Sequence, residues 1–369
     1  MIPNVHRELT AGGVTDLTSF DLSKEDSSHI MTILRDTLYS DRILAVLREY
    51  SSNAWDAHRE VNKSDQPIKV TLPTVMEPTL TIRDYGPGLS KEDVFNVYTK
   101  YGKSTKRESD NAVGMLGIGS KSGFAYSDSF SVTSWHEGKK SLFVAVLDSS
   151  DKGTMNLLHE ENCSFEETGI EIQIAVEQKD IQEFNDRAKF LFKYFVPKPD
   201  INTELPVLPS EKHDLTNGFL YVDNVNKEDQ GWIAIMGCVP YRIDLHKAQN
   251  SEIEIWETVF PLSGALYFDI GEVQISASRE ELKYSDDTKK IIATKINALI
   301  DEFVTHVFKT LDKKTPWEKL LGADVFRRLN IPILQKNLLK TRVYLPNEDS
   351  RSFYLSEKTS TKHINFITV

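Results

Sequence analysis

The sequence predicts an α+β protein with two globular domains, and three observations carry that expectation. Ile43, Leu47, Tyr50, Ala54 and Ala57 recur at spacings of four, three, four and three, which is one face of a helix. Residues 68–72 and 79–83 alternate apolar and polar side chains as half-buried strands do. Pro197, Pro199, Pro206 and Pro209 then fall in a stretch without periodicity, which reads as a domain boundary. These features divide the chain into an arm (1–26), a first domain (27–200), a second domain (210–315) and a tail (316–369).

The elements follow in order. Residues up to about 25 are polar and irregular, and helix signals begin near Ser27. The helix from Ile43 is broken by Asp65, Gln66 and Pro67. After strands 68–72 and 79–83 comes the turn-rich loop Asp84-Tyr85-Gly86-Pro87-Gly88, then a helix from Lys91 to about Tyr101. A polar, Lys-rich stretch ends in Gly114, Gly117 and Gly119. Strands are expected at 129–135, 142–147 and 170–176, with turns at Gly138 and Gly153, and a helix over 180–195. The second domain is expected to hold strands near 219–222, 232–236 and 272–276. A long helix carrying Ile291, Ile292, Leu299, Ile300, Phe303, Val307 and Leu311 closes it. Ser278 and Glu281 match a capping box, so another helix is expected to start at Arg279. The tail reads as a basic helical piece followed by a β-like end.

Composition narrows the function classes. Of 369 residues, 40% are hydrophobic and 27% charged, a globular balance that allows a sizeable core. No run approaches the ~20 apolar residues of a membrane span, and residues 1–10 show no signal-peptide pattern. Cys163 and Cys238 are too few and too far apart for a disulfide framework or a zinc cluster, so a reducing cytoplasm is expected. The net charge of −11 argues against general nucleic-acid binding, where phosphate contacts supply most of the affinity. Residues 313–342 run the other way, with eight Lys/Arg against Glu318 and Asp324. That stretch reads either as a solvated helical face or as a docking surface for an acidic partner protein.

Three segments carry candidate chemistry. On the first helix, Glu49, Asn53, Asp56 and Glu60 form a polar stripe beside the apolar one. A carboxylate there can polarise water as a general base, and an amide oxygen one turn away is a neutral hard ligand that suits Mg²⁺. The stripe is equally the outer face of any amphipathic helix. In the second segment, Gly86 and Gly88 allow a tight turn and close approach to a flat ligand. Asp84 beside them can accept a hydrogen bond from an exocyclic amine such as adenine carries, or it is a solvated turn residue. The third segment, Gly114-Met115-Leu116-Gly117-Ile118-Gly119-Ser120-Lys121-Ser122, offers backbone N–H groups, and Gly123-Phe124-Ala125 can continue as a short helix. Gly102-Lys103-Ser104-Thr105 imitates the end of a P-loop, but Val97 stands where the required glycine belongs. Lys100, Lys103 and Lys106 are either solvated loop lysines or part of a lid that closes over phosphates.

Taken in this order, Glu49-x-x-x-Asn53-x-x-Asp56-Ala57, Asp84-x-Gly86-x-Gly88 and Gly114-x-x-Gly117-x-Gly119 resemble the ATP-site boxes of the GHKL ATPases. That clan includes gyrase, MutL, a class of heat-shock chaperones and histidine kinases. Thr168-Gly169 resembles a fourth box, although its order departs from the commoner Gly-Thr. The resemblance covers roughly residues 30–195. It implies a two-layer α/β sandwich that binds ATP and Mg²⁺, followed by a transducer-like α/β domain. It also implies roles. Glu49 activates water, Asn53 holds Mg²⁺, Asp84 reads the adenine amine, and Asp56 orients the pocket or contacts a nucleotide-bound water. Gly86 and Gly88 admit the base. Gly117, Ile118, Gly119, Ser120 and Lys121 cradle phosphates with Gly114 and Lys103, and Thr168 completes the pocket.

The rest of the chain bears on which member it resembles. Only 48 residues precede Glu49, and His29 lacks an acidic flank, so a histidine kinase is not expected. The Ser278-Arg279-Glu280-x-Leu282-x-Tyr284 segment is similar to the N-terminal part of phage rIIA-like lysis-inhibition proteins. That likeness implies the cytoplasm of an infected host. By the clan resemblance, Arg279 or Lys283 reaches the γ-phosphate. The expected function is slow ATP hydrolysis driving a conformational switch, with homodimerisation through the N-terminal arm. A nucleotide-binding scaffold without hydrolysis and a DNA-processing ATPase are the alternatives.

Overall fold

The computed structural model describes residues 38–99, 119–148, 153–206, 212–221, 231–249, 262–276, 278–312, 343–344, 352–355 and 366–368. These residues divide into two compact units. The first lies within Met1–Val207, Ile235–Tyr241 and Asp269–Lys283, the second within Leu208–Ala234, Arg242–Phe268 and Tyr284–Val369.

The first unit is built on a seven-stranded sheet in the order β5-β4-β3-β6-β2-β1-β7. Its strands are β1 (Lys69–Thr71), β2 (Thr79–Arg83), β3 (Ser129–His136), β4 (Lys139–Leu147), β5 (Gly153–Asn162), β6 (Gly169–Ala175) and β7 (Asp200–Ile201). All neighbours pair antiparallel except β1 and β7, which run parallel. Register follows the apolar alternation: Ile82 faces Ile172, and Ile172 faces Val132, so all three stand in one buried row. Helices α1 (Arg42–Glu60), α2 (Lys91–Thr99), α3 (Gly123–Tyr126) and α4 (Ile181–Phe192) contribute to the same core. Of the expected stripe, Ile43, Leu47, Tyr50 and Ala54 are buried and Ala57 is half-buried, while Ala45 and Val46 are buried as well.

Both ends of α1 are capped. Asp41 accepts from the Leu44 N–H at 2.9 Å. At the other end Asn62 has φ 56°, the Lys63 N–H reaches the His58 carbonyl, and the Asn62 N–H reaches Arg59. That pair of bonds around a left-handed residue is a Schellman motif.

The expected helix at Arg279 and strand at 272–276 are both corrected. Among the described residues of that stretch only an isolated bridge, Ile275 to Leu282, is β-type, and no helix begins before Asp286. Two backbone bonds, Ser276 N–H to the Glu281 carbonyl and Lys283 N–H to the Gln274 carbonyl, close a narrow hairpin instead. Arg279 sits at its tip with φ 57°. Glu281 does not close a box with Ser278; its N–H turns to Ser276 Oγ at 3.4 Å. Glu280 is drawn to the start of α1, where its carboxylate accepts from Ser40 N–H, Ser40 Oγ and Asp41 N–H at 2.8–3.1 Å. A carboxylate beside a helix N-terminus is favourable, and here it outcompetes local helix capping.

The chain continues through β8 (Lys212–Leu215), β9 (Gly218–Tyr221), β10 (Trp232–Met236), β11 (Val239–Ile243), α5 (Leu245–Ala248), β12 (Gly264–Phe268) and α6 (Asp286–Asp312). In the second unit β8, β9 and β12 lie side by side and antiparallel. Ile292, Ile296, Leu299, Ile300 and Phe303 form the buried stripe of α6. Glu302 on that helix caps the β8–β9 turn at Thr216. Residues 343–344, 352–355 and 366–368 form a small antiparallel sheet, β13 to β15. The expected helix signals near Ser27 and the basic stretch 313–342 lie outside the described residues.

Candidate functional site

One helix carries most of the candidate chemistry. On α1, Glu49 and Asp56 are buried and Asn53 is half-buried, whereas Glu60 is exposed. The polar stripe is therefore not an outer face for most of its length. Burying carboxylates costs free energy unless they are paired, so Glu49 needs partners. It has two. Arg279 Nη1 lies 2.5 Å from Glu49 Oε2, and Arg48 Nε lies 3.4 Å from Oε1. Arg48 also donates to the Ser278 carbonyl at 2.8 Å, tying the hairpin to the helix.

Arg279 is only 5% exposed. Its Nε and Nη2 have no hydrogen-bond partner among the described residues. Burial works against its charge, but Glu49, Tyr241, Tyr39 and Asp56 outweigh that and raise its pKa above the ordinary arginine value. Lys283 on the same hairpin is exposed.

The end of the Gly-rich segment meets Glu49 directly. A Cβ on Gly119 would stand 2.4 Å from Glu49 Oε2, so only glycine brings this backbone against the carboxylate. Tyr50, one position along the helix, holds the segment in place: its hydroxyl donates to the Ser120 carbonyl at 3.1 Å and accepts from the Gly123 N–H at 3.0 Å. Lys121 is buried and donates to the Val97 carbonyl at 2.9 Å, near the C-terminal end of α2, and to Ser120 Oγ at 3.3 Å. Burial pushes its ammonium down to about 8. Lys100, Lys103, Lys106, Gly114, Gly117 and Ile118 lie outside the described residues.

The Asp84 loop stands at the other end of α1. Asp84 is buried, and its Oδ1 accepts from the Gly86 N–H at 2.8 Å and the Ile170 N–H at 3.2 Å. Gly86 packs on the helix, since a Cβ there would meet Ala57 Cβ at 2.7 Å. Gly88 has φ 71°, and its missing Cβ would strike the Trp135 carbonyl at 2.0 Å. Arg83 crosses beneath. Its guanidinium lies 3.8 Å from the Trp135 ring centroid, Nη2 donates to the Thr168 carbonyl at 2.8 Å, and Nη1 donates to the Asp84 carbonyl. Thr168 thus meets the Asp84 loop through Arg83 and through Gly169.

α1 thereby joins Glu49, Asn53, Asp56, Gly119 and Asp84, with Arg279 beside Glu49, Ser120 held by Tyr50 and Lys121 turned to the Val97 carbonyl. Sequence reading left Arg48, Tyr50, His58, Lys63 and Arg83 out of the site. Tyr50 belongs to the apolar stripe by spacing, and the other four act largely on backbone carbonyls or amides, which sequence does not mark. The residues fit a magnesium nucleotide on their chemistry. Gly119 brings the backbone of the Gly-rich segment against a carboxylate, Asn53 offers a hard neutral oxygen, and the end of that segment carries a buried ammonium. Among the described residues no group of three or more His, Cys, Asp or Glu could hold a metal. A Mg²⁺ ion here would rest on Asn53, water and phosphate oxygens.

Residues 42–177 match the profile of the family described as "Histidine kinase-, DNA gyrase B-, and HSP90-like ATPase". The match supports a GHKL ATPase-like domain over these residues, and the mixed sheet with its helices is consistent with that fold. No curated protein matches the chain. No described helix is long and apolar enough to cross a membrane.

Proposed function

We propose that this protein binds ATP with Mg²⁺ and hydrolyses it slowly, and that the cycle of binding and hydrolysis switches its conformation. The observation that supports this best is Glu49: a buried carboxylate with Gly119 against it, on the helix whose far end carries the Asp84 loop. In this reading Asp84 accepts from the adenine amine, Gly86 and Gly88 admit the base, and Asp56 orients the pocket. Thr168 closes it from the residue just before β6. Ser120, Lys121 and the glycines before them, with Lys103, bind phosphate oxygens. Asn53 holds Mg²⁺, which screens phosphate charge when bound. Glu49 takes the proton from a water whose oxygen bonds to the terminal phosphorus as the bond to ADP breaks.

Arg279 has a part in this cycle. Its two unpartnered nitrogens are donors left for an anion, and the terminal phosphate is the anion this reading supplies. Moving toward it would release Glu49 Oε2. Closure of the lid around Lys103 and dimerisation through residues 1–26 complete the proposed switch. The Ser278 to Tyr284 segment supports an rIIA-like role.

Phosphate release by the wild type and by Glu49→Ala tests hydrolysis. The variant is expected to lose at least ~100-fold in rate while still binding ATP; equal rates contradict the enzyme reading. One observation favours the scaffold alternative: both Glu49 oxygens lie beside guanidinium groups, Arg48 at Oε1 and Arg279 at Oε2, so neither is turned toward an attacking water in this arrangement.

A further inference from the structure

His58 lies on α1 between Asp56 and Glu60 and is buried. Its two ring nitrogens face partners of opposite kind. The Gln66 carbonyl, 2.9 Å from Nδ1, can only accept. The Tyr85 backbone N–H, 2.7 Å from Nε2, can only donate. The ring must therefore be neutral, with its proton on Nδ1 and a lone pair on Nε2. The other side of Tyr85 is held as well, because Lys63 Nζ donates to its carbonyl at 2.8 Å. Lys63 is the C″ residue of the Schellman motif that ends α1, and His58 is its C3 residue. The motif thus brings both side chains onto one residue, and that residue stands between Asp84 and Gly86.

We propose that His58 and Lys63 are positioning residues. They clamp the backbone of Tyr85 to the end of α1 and so fix the distance between the Asp84 loop and Glu49. Neither touches ATP in this reading. The inference rests on the proposed ATP site, and it goes further by naming what sets the spacing between base recognition and hydrolysis.

The clamp is pH-sensitive. A protonated His58 presents a donor to the Tyr85 N–H and loses the bond. Burial lowers the His58 pKa, the bond to Gln66 raises it, and the Lys63 and Arg83 cations lower it, leaving it below the ordinary 6.5. Lys63 comes from the turn after α1 and Arg83 from β2. The nearby carboxylate, Asp84, is turned toward the Gly86 and Ile170 amides. The folded pKa is depressed, so the clamp is complete above the ordinary value and is lost as pH falls through the folded one.

The test uses the full chain, with Mg²⁺-ATP titrated from about pH 7.5 down to about pH 5. Wild type is expected to lose roughly tenfold in affinity over that range. His58→Gln keeps one acceptor and one donor but does not titrate; it should hold affinity near neutral pH and show a flat profile. His58→Ala should bind roughly tenfold more weakly at every pH. Amide exchange of Tyr85 in the nucleotide-free protein provides a second readout, with faster exchange expected in His58→Ala but not in His58→Gln. The inference is overturned if His58→Gln follows the wild-type pH profile, or if His58→Ala binds ATP as wild type does. Absence of ATP binding in the wild type at every pH would overturn the ATP reading. The clamp itself would then stand or fall on the Tyr85 exchange.

Discussion

The two ends of α1 are held by different kinds of force. At the Glu49 end charge meets charge, with Arg48 and Arg279 on the two carboxylate oxygens. At the His58 end side chains meet backbone. His58 and Lys63 hold Tyr85, Asp84 holds the Gly86 and Ile170 amides, and Arg83 holds two carbonyls. Backbone bonds of this kind persist without a ligand. A buried ion pair can exchange partners when a new charge arrives. One end is thus suited to keeping its geometry and the other to changing it, which is the division a nucleotide switch needs.

Removing one charge should break the contrast most severely. Arg279→Ala leaves Glu49 buried with Arg48 as its nearest cation, and is expected to cost about 3–5 kcal/mol of stability, read by denaturant unfolding. Arg279→Lys should recover part of it. If Arg279→Ala unfolds at the wild-type midpoint and turns over ATP at the wild-type rate, the pair has no role.

A smaller change sharpens the same end without removing charge. The Cβ of Gly119→Ala would stand 2.4 Å from Glu49 Oε2 and must displace the carboxylate. Turnover is expected to fall roughly tenfold, with ATP affinity changing less, in steady-state phosphate release.

The smallest effect concerns Lys121. Its folded pKa is about 8 against an ordinary 10.5, so between those values the unfolded chain binds more protons. Stability should therefore rise with pH across that window. Lys121→Met should flatten this rise and add on the order of 1 kcal/mol near pH 7 while weakening ATP binding. A pH profile of unfolding that matches wild type would show that the buried ammonium is not responsible.

Sequence spacing was enough to find α1, its buried stripe and the placing of Glu49, Asn53 and Asp56 beside it, because helical period and burial agree there. It also found β2, whose alternation reflects one buried face. It missed β5, where every residue is exposed or half-buried and no buried face marks the strand. It misread residues 278–281 because Ser-x-x-Glu fits a helix cap and a hairpin tip alike. The deciding contacts, Glu280 with Ser40 and Arg279 with Glu49, join residues about 230 or more positions apart. His58 and Lys63 stayed out of view for a related reason: their partners are main-chain atoms of a residue 22 to 27 positions away.

The most direct test of the ATP reading is equilibrium titration of the full chain with ATP and with GTP in the presence of Mg²⁺, repeated on Asp84→Ala. ATP should bind saturably, GTP much more weakly, and Asp84→Ala should lose roughly tenfold or more in ATP affinity. Equal binding of ATP and GTP, or undiminished ATP binding by Asp84→Ala, would contradict it.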